Sequence, residues 1–504
     1  MPKIVPLWTD VAIWLLLAAL ALYIWQVRRA PNLRANWKRV FQNGPALGAS
    51  VVLALCLVVT ALDSVHYRPL LPPAAGAPAA SSSSAIAAYD TRTVSLLDRV
   101  LQRLLDMRES TYSAPLAAVA FTRESVTVDG EVRRIAPRLQ HGGAHLKSPE
   151  AERTADILAR TGAGLLLGLL MAAALSAGLV AMLARSHGGF GTAAVAIARG
   201  ETDIPWRVAL MTITALCLLI GPVLTLAPHY HVLGTDRTGN DVLVQSLKSI
   251  RTAFVIGSLS TIATLPLAVG LGVMAGYFRG WVDEVIQYIY TLLSSVPNVL
   301  LIAACVLMVQ VFFDKNPELF ATGAERSDLR LFVLCLILGL TGWAGLCRLL
   351  RAETMKLREL EYVQAARAFG VSDLRIMARH IFPNVVHLML ITTVLDFCAL
   401  ILYEAVLSYV GVGVDPSMNS FGGMINQARA EMSRDPVVWW SFASAFGFMV
   451  ALVLAANLFA DGVQEAFDPR SRIFRPRLSL MRRRAVVPAA PGTPAAPGTP
   501  STGA

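Results

Sequence analysis

The sequence predicts an all-α integral membrane protein with about nine transmembrane helices and a small α+β element inserted on one face, judged with a ruler of roughly 20 apolar residues per span. Three observations carry that class. The chain is 55% hydrophobic and only 15% charged, and its mean hydropathy is +0.56, well outside the range of soluble domains. Its apolar residues fall into long runs separated by polar segments. Its basic residues gather at the ends of those runs, where they act as orientation signals. That placement also sets aside a nucleic-acid reading of the +10 net charge.

The predicted spans cover 8–27, 45–64, 161–185, 207–228, 252–276, 286–312, 330–350, 385–410 and 437–461. The first is not read as a cleaved leader, because Arg28 and Arg29 follow it directly and no small-residue cleavage site does. Arg28, Arg29, Arg34, Lys38 and Arg39 then form an acid-free loop, which should lie in the cytoplasm. Counting alternately from there puts 65–160, 229–251, 313–329 and 411–436 outside. The segments 186–206, 277–285 and 351–384, together with the tail, come inside. Basic residues outnumber acids in 351–384, and the tail carries Arg470, Arg472, Arg475, Arg477 and Arg482 to Arg484 without an acid, so both agree with that side. The expected topology is amino end out and carboxyl end in.

Segment 65–160 is too long and too mixed in charge to be a simple connector. It opens on a linker rich in Pro, Ala and Ser, including Ser81 to Ser84. Leu96, Leu97, Val100, Leu101, Leu104 and Leu105 follow at helical spacing. An alternating stretch around Asp129-Gly130 then predicts a hairpin. Such an element could pack on its own helices as a lid, dock an extracytoplasmic partner or plug a pathway. The Pro/Ala/Gly-Thr tail at 488–503 is expected to be disordered.

Catalytic patterns are missing from the sequence. There is no G-x-x-x-x-G-K-[S/T] to cradle phosphate, and no Ser/His/Asp or Cys/His arrangement stands out. Cys56, Cys217, Cys305, Cys335, Cys347 and Cys398 lie within or at the ends of apolar runs without metal-ligand spacing, and read as apolar filler. We therefore expect no catalytic residue, no metal and no cofactor held by this chain.

The most informative polar segment is 356–383. Leu357, Leu360, Val363 and Ala366 share one helical face, and Gly370 supplies a cheap turn. A second short helix is expected from an N-cap at Ser372, burying Leu374, Ile376 and Met377, with Pro383 near the next span. Two amphipathic helices joined at a glycine fit either a tidy interfacial loop or a knob that a soluble protein can grip.

Gln364-Ala365-Ala366, then Gly370, then Pro383, within E-Y-V-Q-A-A-R-A-F-G-V-S-D-L-R-I-M-A-R-H-I-F-P-N, resemble the coupling loop of the permeases of ABC importers in the dipeptide, oligopeptide and nickel branch. Gln364 stands where the general pattern has Glu, His380 where it has Ile and Phe382 where it has Leu, so a salt bridge at the family's Glu is not carried over. The resemblance continues through H-V-L-G-T-D-R-T-G-N-D-V-L, with Asn240 in place of the usual Arg, then G-Y-F-R-G-W-V-D, Y-E-A-V-L-S-Y-V-G-V-G-V and N-L-F-A-D-G-V-Q-E-A-F-D-P-R. It implies a six-helix type I importer core of the MetI-like kind over 207–470. Ahead of that core stand two amino-terminal helices (1–64), the insertion (65–160) and a third additional helix with its linker (161–206), and a basic tail (471–504) follows it. It implies Tyr362, Gln364, Ala365, Ala366, Gly370, Arg379 and Pro383 as the ATPase-coupling residues and Gly234, Thr235, Asp236, Gly239 and Asp241 as an outer-loop motif, in which Asp241 can cap the following helix. It further implies a bacterial inner-membrane location, a second homologous permease subunit, two ABC ATPase subunits that bind ATP and Mg, and an extracytoplasmic substrate-binding protein, with no nucleic-acid partner. ATP-driven closure of the ATPases would push on 356–383 and turn a cavity outward.

Asp396 and Glu404 lie in the eighth apolar run, where an unpaired charge costs about 2.5–3.5 kcal/mol on translocon scales. They either line the substrate path or pair with neighbouring helices. Pro266 and Pro297 are expected to kink spans. Two further readings follow from the residues: a secondary transporter using those carboxylates, although no internal repeat supports it, and a membrane-anchored scaffold whose working part is 65–160.

Overall fold

A computed structural model describes residues 3–70, 89–90, 93–128, 131–187, 189–320 and 322–467. Ser81 to Ser84 and the tail at 471–504 lie outside those residues. Two-residue strand β1 (Lys3–Ile4) leads into α1 (Trp8–Arg29), α2 (Pro31–Gln42) and α3 (Gly44–Asp63). The insertion follows as β2 (His66–Arg68), β3 (Val94–Ser95), α4 (Leu96–Val100), α5 (Gln102–Asp106), β4 (Glu124–Val128) and β5 (Glu131–Ile135). Strand β2 pairs antiparallel with both β1 and β3, and β4 pairs with β5 in the hairpin register expected around Asp129-Gly130. Then come α6 (Pro149–His187), α7 (Phe190–Arg199), α8 (Trp206–Leu226), α9 (Val242–Phe278), α10 (Gly280–Ser295) and α11 (Asn298–Lys315). The chain closes with α12 (Gly323–Gly342), α13 (Ala344–Arg358), α14 (Glu361–Ala368), α15 (Asp373–Ile376), a π turn at Met377–Ile381, α16 (Phe382–Val410), α17 (Phe421–Glu431) and α18 (Trp440–Phe467).

Among the described residues, 9 helical segments are long and apolar enough to cross a membrane, and the protein is a multi-pass membrane protein. They match the predicted spans with three corrections. The run 286–312 is not one span. Pro297 lacks an N–H and forces Val296 into extended backbone (φ −92, ψ 135), so α10 ends and α11 begins there. Pro297 is therefore a helix start and no mid-span kink, whereas Pro266 does lie inside α9 and Pro222 inside α8. The outer amphipathic helix expected after Asp241 is continuous with its span through Phe278.

The third correction concerns 356–383. The second short helix is not separate, because α15, the π turn and α16 run on as one apolar segment, Asp373–Val410. Pro383 sits in the first turn of α16, where a missing N–H costs nothing. Ser372 occupies the N-cap position without a side-chain hydrogen bond. Leu374, expected to bury, is 76% exposed.

Contacts between loops follow the alternate crossing. At one end Lys38 pairs with Asp203 (2.6 Å), Asn43 meets Glu465 (2.9 Å), and Arg351 grips Asp283 with two bonds (2.5 and 2.7 Å). At the other Arg68 meets Glu325 (3.5 Å) and Tyr112 meets Glu431 (3.0 Å). All six cysteines are free, and all but the half-buried Cys305 are buried, as apolar filler should be.

Candidate functional site

The knob at 356–383 is built on a shared apolar seat. Val363, Ile376, Met377, Ile381 and Val385 pack into one cluster with Leu346, Cys347 and Leu350 of α13, Val273 and Tyr277 of α9 and Ile286 of α10. Leu357 and Ala366 lean on the same cluster, while Leu360 is exposed. Polar contacts lock the seat. The Tyr277 hydroxyl donates to Asp373 (2.6 Å), Arg358 donates to the Tyr277 carbonyl (2.6 Å), and the Asn384 amide reaches the Tyr362 hydroxyl (3.1 Å). The knob thereby shares one packed seat with α9, α13 and α16.

What the seat presents is a bare turn. Gly370 has φ +76, in the left-handed region that favours glycine, and a side chain there would meet open space. On either side of it Phe369 is 87% exposed and Leu374 76% exposed. Tyr362, Gln364, Ala365, Arg379 and Pro383 are exposed on the same knob, with Ala366 half-buried. The Gln364 side chain donates to the Glu359 carbonyl (3.2 Å), a local bond that needs no charge. The residues grouped from the sequence as a coupling set lie on this one knob, whereas Phe369 was not among them and Leu374 was expected to be buried.

The outer-loop motif folds into a closed knot. Asp236 accepts from the Thr238 amide and hydroxyl (2.8 and 2.9 Å), the Asn240 amide (2.9 Å) and Gln245 (2.5 Å). Asp241 caps α9 by accepting from the Leu243 amide (2.8 Å), and its second oxygen holds the His231 ring (2.7 Å). The insertion clasps this knot. Glu109 accepts three backbone amides, from Gln140, His141 and Gly142 (2.8–3.0 Å), and faces His231 from the other side (3.7 Å). Gly239, at φ +77, lies so close that an added Cβ would fall 1.8 Å from the Glu109 carbonyl oxygen. Thr235 donates to the Thr111 carbonyl (2.9 Å) and receives the Ser113 amide (2.6 Å). Gly234 turns here too, at φ +73. Burial would strip the proton from His231, but Asp241 and Glu109 outweigh it and hold its pKa up at about 9. Burial would raise Glu109, but the nearby His231 ring and the hydrogen bonds from the three amides overcome it and take it down to about 2.

The two intramembrane acids are not brought together. Eight residues apart on α16, they are separated by about 12 Å along its axis. Glu404 is 2% exposed, accepts from Ser408 (2.7 Å) and lies against Gly422 at the start of α17, where a helix N-terminus favours an anion. Asp396 is half-buried and has no hydrogen-bond or ion-pair partner among the described residues.

A buried ion cluster that sequence reading missed ties α1 to the core. Arg251 of α9 donates to Asp10 (2.5 Å) and Thr9 (2.9 Å) of α1 and reaches Ser64 (3.3 Å). The Thr9 amide donates to Asp328 of α12 (3.0 Å), and His66 contacts Asp10 (2.6 Å). Arg251 and Asp328 sit just ahead of the predicted span starts, where charges read as ordinary flanking signals.

Residues 268–473 match the family model described as "Binding-protein-dependent transport system inner membrane component". The oligopeptide transport system permease protein OppC of Mycobacterium tuberculosis is 34% identical over 245 residues, 49% of this chain and 78% of that protein. The chain belongs to this permease family. The glutathione transport system permease protein GsiD of Pectobacterium atrosepticum is 32% identical over 48% of this chain and 73% of its own length. OppC of Haemophilus influenzae is 29% identical, over 48% and 71%. Among solved structures, an inward-facing MetNI methionine ABC transporter shares 17% identity over 45% of this chain and 96% of that one, with a TM-score of 0.32. The family match begins within α9 and runs on from there, and the helices α1, α3, α6 and α8 and the insertion precede it.

Proposed function

We propose that this permease admits peptides or a similar small solute, delivered by an extracytoplasmic binding protein, and is driven through 356–383 by separate ATPase subunits that hold ATP and Mg. A second permease subunit completes the pathway, and the assembly carries two ATPases. The knob faces the cytoplasm, the amino terminus lies outside the bacterial inner membrane and the carboxyl terminus inside. Closure of the ATPases on nucleotide pushes the knob, and the shared seat tilts α9, α13 and α16 together.

The observation that carries this reading is the pair Phe369 and Leu374, apolar, almost fully exposed and fixed around a left-handed glycine on a rigid seat. Such an anchor needs a protein partner to cover it. Relatives named for oligopeptide and glutathione transport support the solute class. The secondary-transporter reading is weaker, because Glu404 is spent on Ser408 and the start of α17 and leaves Asp396 alone. The scaffold reading is weaker too, because the insertion is clasped to the permease core through Glu109, Ser113 and Tyr112.

The test is co-purification from membranes with the co-expressed ATPases. Wild type should retain them, and Phe369→Asp with Leu374→Asp should lose them while the permease stays folded. Retention of the ATPases by the double variant overturns the coupling assignment.

A further inference from the structure

Between α11, α12, the 411–420 loop, α17 and the insertion lies a polar cavity of about 750 Å³, within the size range of small-ligand sites. It is separate from the coupling knob. Tyr112 of the insertion and Glu431 of α17 form one wall, and Arg237, Arg330, Asp415 and Arg434 also line it. Asp236 and Asp415 are already engaged, the first by the knot described above and the second by Arg330 (3.3 Å). Glu431 is different. It is 6% exposed, its Oε1 accepts the Tyr112 hydroxyl (3.0 Å), and its Oε2 is buried in the wall with no hydrogen-bond partner among the described residues. A buried carboxylate oxygen without a donor is costly.

The nearby cations do not supply that donor. Arg434 stacks over the Tyr112 ring, 5.3 Å from its centroid, and Arg237 is exposed at the rim. We propose that this cavity binds the free amino end of a peptide, with the ammonium group pairing with the Glu431 carboxylate as the side chain rotates to present its orphaned Oε2, and the peptide carboxylate drawn towards Arg237 and Arg434. This inference rests on the importer reading and deepens it by placing a solute site within a single permease chain. An ammonium is the group that meets an orphaned buried carboxylate oxygen and neutralises it at once. Arg237 and Arg434, exposed at the rim, suit the opposite end of a zwitterion. Burial raises the pKa of Glu431 above the usual carboxylate range, so binding should fail as pH falls through that raised value.

The assembled transporter in lipid nanodiscs, without nucleotide or binding protein, tests this by calorimetry with tri-alanine and with N-acetyl-tri-alanine as probes. Wild type should bind tri-alanine and bind the acetylated peptide at least 10-fold more weakly. Glu431→Gln, nearly isosteric, should lose at least 10-fold for tri-alanine and no longer discriminate between the two. Ala430→Trp, which fills the cavity from the exposed face of α17, should abolish binding of both. Equal binding of the two peptides to wild type, unchanged affinity in Glu431→Gln, or no binding to wild type overturns the proposal. ATPase co-purification is read in the same preparations. Loss of peptide binding with the ATPases retained defeats this inference alone, whereas wild type that never retains the ATPases defeats the importer reading.

Discussion

The knob at 356–383 and the knot at 234–241 are both short polar segments turned on left-handed glycines, yet they end in opposite states. At the knot around Gly234 and Gly239 the chain has supplied its own cover. The insertion brings Glu109, Thr111 and Ser113 onto it, Asp236 and Asp241 are ringed by partners, and His231 is held between Asp241 and Glu109. At Gly370 none of the described residues covers the turn, and Phe369 and Leu374 stand bare among them. The contrast teaches that a finished loop and an unfinished one can share sequence grammar. What separates them is whether the apolar and polar valences around the turn are met within the chain.

The most direct break of that contrast is at the knob. Phe369→Asp should weaken ATPase association by about 2 kcal/mol or more, roughly 30-fold, as for a buried interface anchor. Pull-down from solubilised membranes checks it, and the melting temperature of the permease alone should hardly move. Next comes the anchoring of the extra helices. Arg251→Met takes the arginine away from Asp10 and Asp328, leaving them to His66 and Thr9, and should cost about 3–5 kcal/mol of stability, as removal of one partner from a buried ion cluster does. Thermal unfolding in detergent reads this directly.

Smaller effects sharpen the knot. Gly239→Ala should cost about 1–3 kcal/mol, since a Cβ at positive φ meets the Glu109 carbonyl, and limited proteolysis should then cut within 107–146. Raising pH should do the same without mutation. His231 has a folded pKa raised to about 9 from 6.5, so its stabilisation is complete below pH 6.5 and is lost as pH rises through 9. Glu109 is depressed to about 2 from 4.5, so its share is present above pH 4.5 and fades only as pH falls through 2. Hydrogen exchange in 107–146 should therefore accelerate above pH 9, beyond the intrinsic rise in exchange rate, and His231→Gln should remove that extra step. The smallest change expected is Ser420→Ala. Ser420 accepts from the Gly423 amide at the start of α17 (3.0 Å), and losing that cap should cost about 1 kcal/mol.

Much of the bundle was legible because span length and terminal charge are read along the chain. So were the turn at Gly370 and the cap at Asp241, whose chemistry is local. The break before α11 was hidden because Val296-Pro297 sits inside an unbroken apolar run, and hydropathy does not register a missing N–H. Arg251, Asp10 and Asp328 were hidden because a charge at a span end looks the same whether it meets water or another helix. The clasp of Glu109 on His231 joins residues far apart in sequence, and Glu431 became notable only once its empty side and the cavity were seen together. Phe369 and Leu374 were hidden for the converse reason: an apolar residue on a short helix is expected to be covered by its own chain.

Cysteine labelling at Phe369→Cys tests the central claim most directly. In membrane vesicles of defined orientation, a membrane-impermeant maleimide should modify Cys-substituted 369 only from the cytoplasmic face, and co-expressed ATPases should protect it. Labelling from the outer face, or labelling that is indifferent to the ATPases, contradicts the account.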